Sequence, residues 1–156
     1  MDVQYVRLHL EFVSPAWAPW TQGAREILEN VQRKAVKMIS GLNSHEYEER
    51  LKEIGLDTLQ QRRDDGDMAQ VYRILSLEDR VDRGTWFKMV AERGERETRA
   101  TGDCTRLVTG MCRTEIRKQF FSQRLINPWN QLPKEVREAD NMKSFKAKLR
   151  KVREQV

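Results

Sequence analysis

The chain has 156 residues, of which 38% are hydrophobic and 34% charged, with a formal net charge of +5. That length holds one moderate core or two small ones, and no apolar run approaches membrane-spanning length. Cys104 and Cys112 are too few for a disulfide scaffold or a four-ligand zinc site, and the start MDVQYVRLHLEF is too interrupted by charge for a secretory signal, so an intracellular protein, nuclear or cytoplasmic, is expected.

The charge is unevenly placed. Residues 1–110 carry 17 basic and 19 acidic side chains, whereas residues 111–156 carry 12 basic and 5 acidic ones. A basic C-terminal third points to a polyanionic partner, RNA or DNA before others, and says nothing about fold.

In chain order, residues 1–20 read as an irregular aromatic segment, because Pro15 and Pro19 interrupt any regular element and Trp17 and Trp20 bracket the second proline. Two tryptophans this close to an end need a cover: either they fold back onto the helix after Thr21 or their natural cover belongs to an upstream part, and they are candidate contacts for a protein partner or a second copy. From Thr21 to Gly41, Ile27, Leu28, Val31, Ala35, Met38 and Ile39 recur at helical steps and predict one buried stripe, with Thr21 as N-cap and Gly41 at the exit. Arg33, Lys34 and Lys37 share the opposite flank and are candidate phosphate contacts.

Ser44 is placed to cap a short helix whose Tyr47, Leu51 and Ile54 form one face and which ends at Gly55. Asp57 is expected to cap the next helix, with Leu59, Met68, Val71, Tyr72 and Leu75 inside and Gly66 weakening its middle. Arg62 and Arg63 can pair with Asp64, Asp65 and Asp67 across its exposed face. The adjacent aspartates do not read as a two-metal centre, since no flanking apolar strands hold them in a hairpin. Residues 21–90 thus form a helical region, and residues 91–104 a flexible connection without apolar periodicity.

Residues 105–156 form a basic C-terminal unit. Thr105–Lys118 alternates briefly about Thr109-Gly110 and predicts a small β-hairpin or extended arm before the C-terminal helices. In QFFSQRLINPWNQLPKEV, Phe120, Phe121, Leu125, Ile126 and Trp129 read as core anchors rather than base-stacking platforms, and Pro133 as the first residue of a short helix. Arg124 in that run is a candidate backbone contact. Asn141 is expected to cap a final helix with Met142, Phe145, Leu149 and Val152 inside and Lys143, Lys146, Lys148, Arg150, Lys151 and Arg153 around the rest. Of these, Lys143, Lys146, Arg150 and Lys151 are the candidate contacts to nucleic acid. The fold class is therefore mainly α.

Four stretches carry a family resemblance: LEFVSPAWAPW at 10–20, LENVQRKAVKMISGL at 28–42, YEERLKEIGLDTLQQRRDDGDMAQVYRIL at 47–75 and FFSQRLINPWNQLPKEV at 120–136. Together they resemble the C-terminal end of reverse transcriptases from non-long-terminal-repeat retrotransposons of the chicken-repeat and jockey type. The resemblance implies a thumb-like region over 21–90 followed by the segment behind the thumb, with the catalytic palm and the endonuclease upstream of this chain. It implies no cofactor, no metal and no catalytic residue here, and a partner that is RNA or an RNA–DNA hybrid held by charge. Asp64 and Asp65 depart from the family, whose members are more basic or apolar after the Arg62-Arg63 pair. The expected function is non-catalytic nucleic-acid binding. The alternative is a protein-interaction or homodimerisation module, as a degenerate element remnant, a separately expressed product or a fragment put to another use.

Overall fold

The fold is given by a computed structural model that describes residues 14–39, 41, 44–76, 78–90 and 103–154. It is built from helices: α1 (Ser14–Trp17), α2 (Gln22–Lys37), α3 (Tyr47–Glu53), α4 (Leu59–Leu75), α5 (Arg83–Trp86), α6 (Glu115–Lys118), α7 (Phe121–Arg124), α8 (Ile126–Gln131), α9 (Lys134–Arg137) and α10 (Met142–Glu154). Contacts divide the chain into two compact units, Met1–Gly66 and Asp67–Val156. The division falls at Gly66, inside α4, an exposed glycine that the helix runs through without ending. Residues 68–87 share the core of the second unit, while most of the expected 91–104 connection lies outside the described residues.

In the first unit α2 begins where expected, with the Thr21 hydroxyl accepting from the Ala24 N–H at 3.3 Å. The helix closes at Met38, and Gly41, three residues further on, has φ +91°, a left-handed conformation that favours glycine. The expected buried stripe is a correction. Val36 and Gln32 are the buried positions of α2, whereas Ile27, Val31 and Met38 are exposed. The inward edge of α2 is set by the polar contacts of Gln32 and Glu29 with Tyr47 and the Leu59 N–H.

Two caps also move. Before α3, the Glu49 carboxylate accepts from the Glu46 N–H at 3.2 Å, so the helix starts after Glu46 and not at Ser44. Before α4, Thr58 replaces Asp57: its hydroxyl accepts from the Gln61 N–H at 3.3 Å while the Gln61 amide oxygen accepts from the Thr58 N–H at 3.2 Å. That reciprocal pair satisfies two donors an isolated helix start leaves open. Gly55, at φ +65°, ends α3 as expected.

The second unit has an aromatic core. Phe145 of α10 stacks on Tyr72 of α4 with centroids 4.5 Å apart and on Trp129 of α8 at 5.9 Å. Phe121 meets Phe87 edge-on at 5.9 Å. Trp129, Phe145 and Phe87 are among its most deeply buried side chains, so the aromatic run from residue 120 is core. Pro128 sits in the first turn of α8, where its missing N–H has no helical acceptor in any case.

No strand is present among the described residues, which overturns the expected hairpin or extended arm before the C-terminal helices. Among the described residues the β-type pairing there is an antiparallel bridge between Met89 and Leu107, formed by a segment far upstream and not across Thr109-Gly110. Two interactions remove the arm. Thr114 caps α6 by accepting from the Arg117 N–H, turning the would-be second strand helical. Asn130 then occupies the other edge of Leu107, accepting from its N–H and donating to its carbonyl, both at 2.9 Å. A side-chain amide thus supplies the two hydrogen bonds that a second strand would make.

Candidate nucleic-acid interface

The last helix carries the clearest cationic surface. Asn141 caps α10 by accepting from the Ser144 N–H at 2.9 Å, and Phe145 and Leu149 anchor it inward. That fixes Lys143, Lys146 and Lys151 on the outside, all exposed and without an acidic partner among the described residues. Arg150, also exposed, lies 3.5 Å from Glu154, a pair so open to water that it holds the guanidinium only weakly. Lys148 is different: its Nζ donates to the Glu135 carbonyl at 2.9 Å and closes α10 onto α9. Positions 143, 146 and 150 follow one ridge over about 10 Å of helix.

Arg124 does not join that surface. Its Nη2 lies 2.7 Å from Asp67 Oδ2, its Nη1 donates to the Gln119 carbonyl at 3.2 Å, and its guanidinium sits beside the Phe121 ring. Asp67 is buried, so this is a structural ion pair inside the second unit. Asp103 holds a second one with Arg137, whose side chain is almost wholly buried, and also meets Arg106 at 3.5 Å. Burial pushes the Asp103 carboxyl up, but the Thr105 hydroxyl and Arg137 outweigh it and hold the group below its usual range.

On the first unit Lys34 and Lys37 are exposed, while Arg33 hydrogen-bonds Asn30 and lies over the Tyr47 ring at 4.9 Å. Trp20 is exposed, and Trp17 is half-covered by the Arg63 guanidinium, 4.5 Å from its ring centroid. The expected exposed ladder of Arg62, Arg63 and the aspartates is therefore a correction: Arg63 and Asp67 are buried, and Arg62 donates to Gln32. Sequence reading missed this because helical spacing pairs charges along one helix and cannot see a tryptophan or an amide brought from another.

Sequence reading also missed the half-buried polar cluster of Glu29, Gln32, Tyr47 and Arg62. The Tyr47 hydroxyl donates to Glu29, Gln32 Nε2 donates to the Tyr47 oxygen at 2.9 Å, and Glu29 also accepts from the Leu59 N–H at 3.3 Å. Burial, followed by Glu29, pushes the Tyr47 phenol well above its ordinary value. The cluster ties α2, α3 and the start of α4 together.

A cleft of about 690 Å³ beside the Met89–Leu107 bridge is lined, among the described residues, by Lys88, Thr109, Gly110 and Met111 with Gly84, Met89 and Val108. Cys104 and Cys112 are both free thiols, and the Cys112 thiol donates to Gln123. Among the described residues no group of three or more His, Cys, Asp or Glu side chains could hold a metal ion, and no helix is long and apolar enough to cross a membrane. No family model, curated protein or solved structure matches the chain.

Proposed function

We propose that the chain is a non-catalytic nucleic-acid-holding fragment that grips the phosphate backbone of RNA or an RNA–DNA hybrid through the outer face of α10. The single supporting observation is that Lys143, Lys146 and Lys151 stand exposed on one anchored helix without acidic partners among the described residues. Such cations release condensed counterions on binding and carry no base-reading geometry, so affinity is sequence-tolerant and salt-sensitive. The resemblance to the region behind a retrotransposon polymerase palm fits this role, because a duplex leaving that palm needs a charged surface and no further chemistry.

The test is a titration of the full chain with single-stranded RNA, duplex DNA and an RNA–DNA hybrid at several salt concentrations. Binding that falls steeply with salt, and a triple Lys143→Gln, Lys146→Gln, Lys151→Gln variant that loses most of it while keeping its helix content, is the expected result. Unchanged binding by the triple variant would sink the proposal. Arg62 and Arg63 are unsuitable controls, because both are built into the first unit.

A further inference from the structure

The first unit buries three apolar side chains among its described residues, Val36, Leu51 and Leu59, and leaves a longer apolar line of α2 outside. Trp20, Ala24, Ile27, Val31, Lys34 and Met38 follow one another at steps of four, three, four, three and four, the repeat by which one helix seats against another. Trp20, Ile27, Val31 and Met38 are 56, 67, 42 and 65% exposed. The face α2 turns to its own unit is a separate one, centred on Gln32 and Val36. Arg25 Nε donates to the Pro19 carbonyl at 3.1 Å and holds the Trp20 end of the line against the helix.

We infer that this seam takes a second copy of the chain, docked antiparallel through α2. Independently of nucleic-acid binding, the pattern is self-complementary about a two-fold axis at residue 29. Trp20 then faces Met38 of the other copy, a sulfur–aromatic contact. Ile27 faces Val31, and Ala24 leaves room for the Lys34 stem. Each contact occurs twice, as an isologous interface requires.

Charge selects the orientation and the partner. In an antiparallel pair Lys34 and Lys37 of one helix lie along the same edge as Glu26 of the other, and the helix dipoles oppose. A parallel pair would set Lys34 against Lys34 in the seam and send the Lys37 side chains to opposite edges, away from each other. The exposed parts of Trp20, Ile27, Val31 and Met38 offer roughly 500 Å² per copy, below the ~800 Å² per partner of stable complexes. The interface is therefore reversible, and Lys34 within the seam keeps it weak.

Sedimentation of the full chain across a concentration series tests this at fixed ionic strength. The expected result is a monomer–dimer equilibrium that Ile27→Asp shifts at least about tenfold toward monomer, with helix content unchanged because the side chain is exposed. Lys34→Leu shifts it about tenfold toward dimer, and Glu26→Lys weakens it until Lys34→Glu is added. The Lys34→Leu arm stands even where an aspartate variant fails to fold. A wild-type chain that stays monomeric at every concentration, or a dimer indifferent to both Ile27→Asp and Lys34→Leu, overturns the inference and leaves a different protein as the occupant. Loss of RNA binding by the α10 lysine variant with the dimer intact touches only the nucleic-acid proposal.

Discussion

Single polar side chains carry much of the specificity of both units, and Tyr47 shows how. Its hydroxyl is half-buried against Glu29 and cannot ionise there without placing two negative charges together. A phenol whose folded pKa lies above its unfolded one stabilises the protein fully below about pH 10. That contribution is lost as the pH rises through the folded value. Tyr47→Phe should cost about 1 kcal/mol at neutral pH through the lost hydroxyl bonds to Glu29 and from Gln32 and should flatten the alkaline limb of a denaturant-unfolding series. Asp103 has the opposite sign. Its folded pKa is lowered, so its contribution is present above about pH 4 and lost as the pH falls through the folded value. Asp103→Asn should cost about 3 kcal/mol at pH 7, because Arg137 stays buried without its counter-charge. The variant's stability should also change less on acidification than the wild type's.

At the scale of elements, α8 has two jobs. One face fills the core with Ile126 and Trp129, and the other projects Asn130 onto the backbone of Leu107. Trp129 adds a bond from its indole Nε1 to the Thr105 carbonyl at 3.0 Å, so one short helix holds residues 105–107 at three points. Asn130→Ala should cost about 1–3 kcal/mol by leaving a buried donor and acceptor unmet. Amide exchange at Leu107 should speed up in the same variant, and unchanged protection there would contradict the clamp. The helices α2, α3, α4 and α10 were legible from three- and four-residue steps, as were the caps Thr21 and Asn141 and the glycine exit at Gly55. The caps at Glu46 and Thr58 were not, because several neighbouring side chains can each close a helix start and packing of the first turn chooses among them. The hairpin failed for a related reason. Alternation over a few residues is as compatible with a loop held by a distant side chain as with a strand.

For the whole molecule, charge is segregated so that the acidic excess lies before residue 110 and the basic excess after it. Removing two cations from the first unit should therefore matter less to backbone binding than removing cations from α10. Lys34→Gln with Lys37→Gln should flatten the log–log salt dependence of binding by less than one phosphate's worth, about 0.7–0.9 in slope. The α10 triple variant should flatten it by roughly two or more. Equal slopes for the two variants would place the grip elsewhere. Of the candidate contacts, the exposure of Lys143, Lys146 and Lys151 followed from the spacing of Phe145 and Leu149, whereas the loss of Arg124 to Asp67 did not, since those residues are 57 positions apart.

Local pattern was enough to determine the helical character, the long helices and the outward face of α10, because helix period and inward anchors are written within a few residues of each other. Only tertiary structure decided which side of α2 is inside, which arginines are structural and that Asn130 stands in for a strand. Each of those outcomes depends on a partner far along the chain, and the desolvation of a charge or an apolar stripe is set by what covers it.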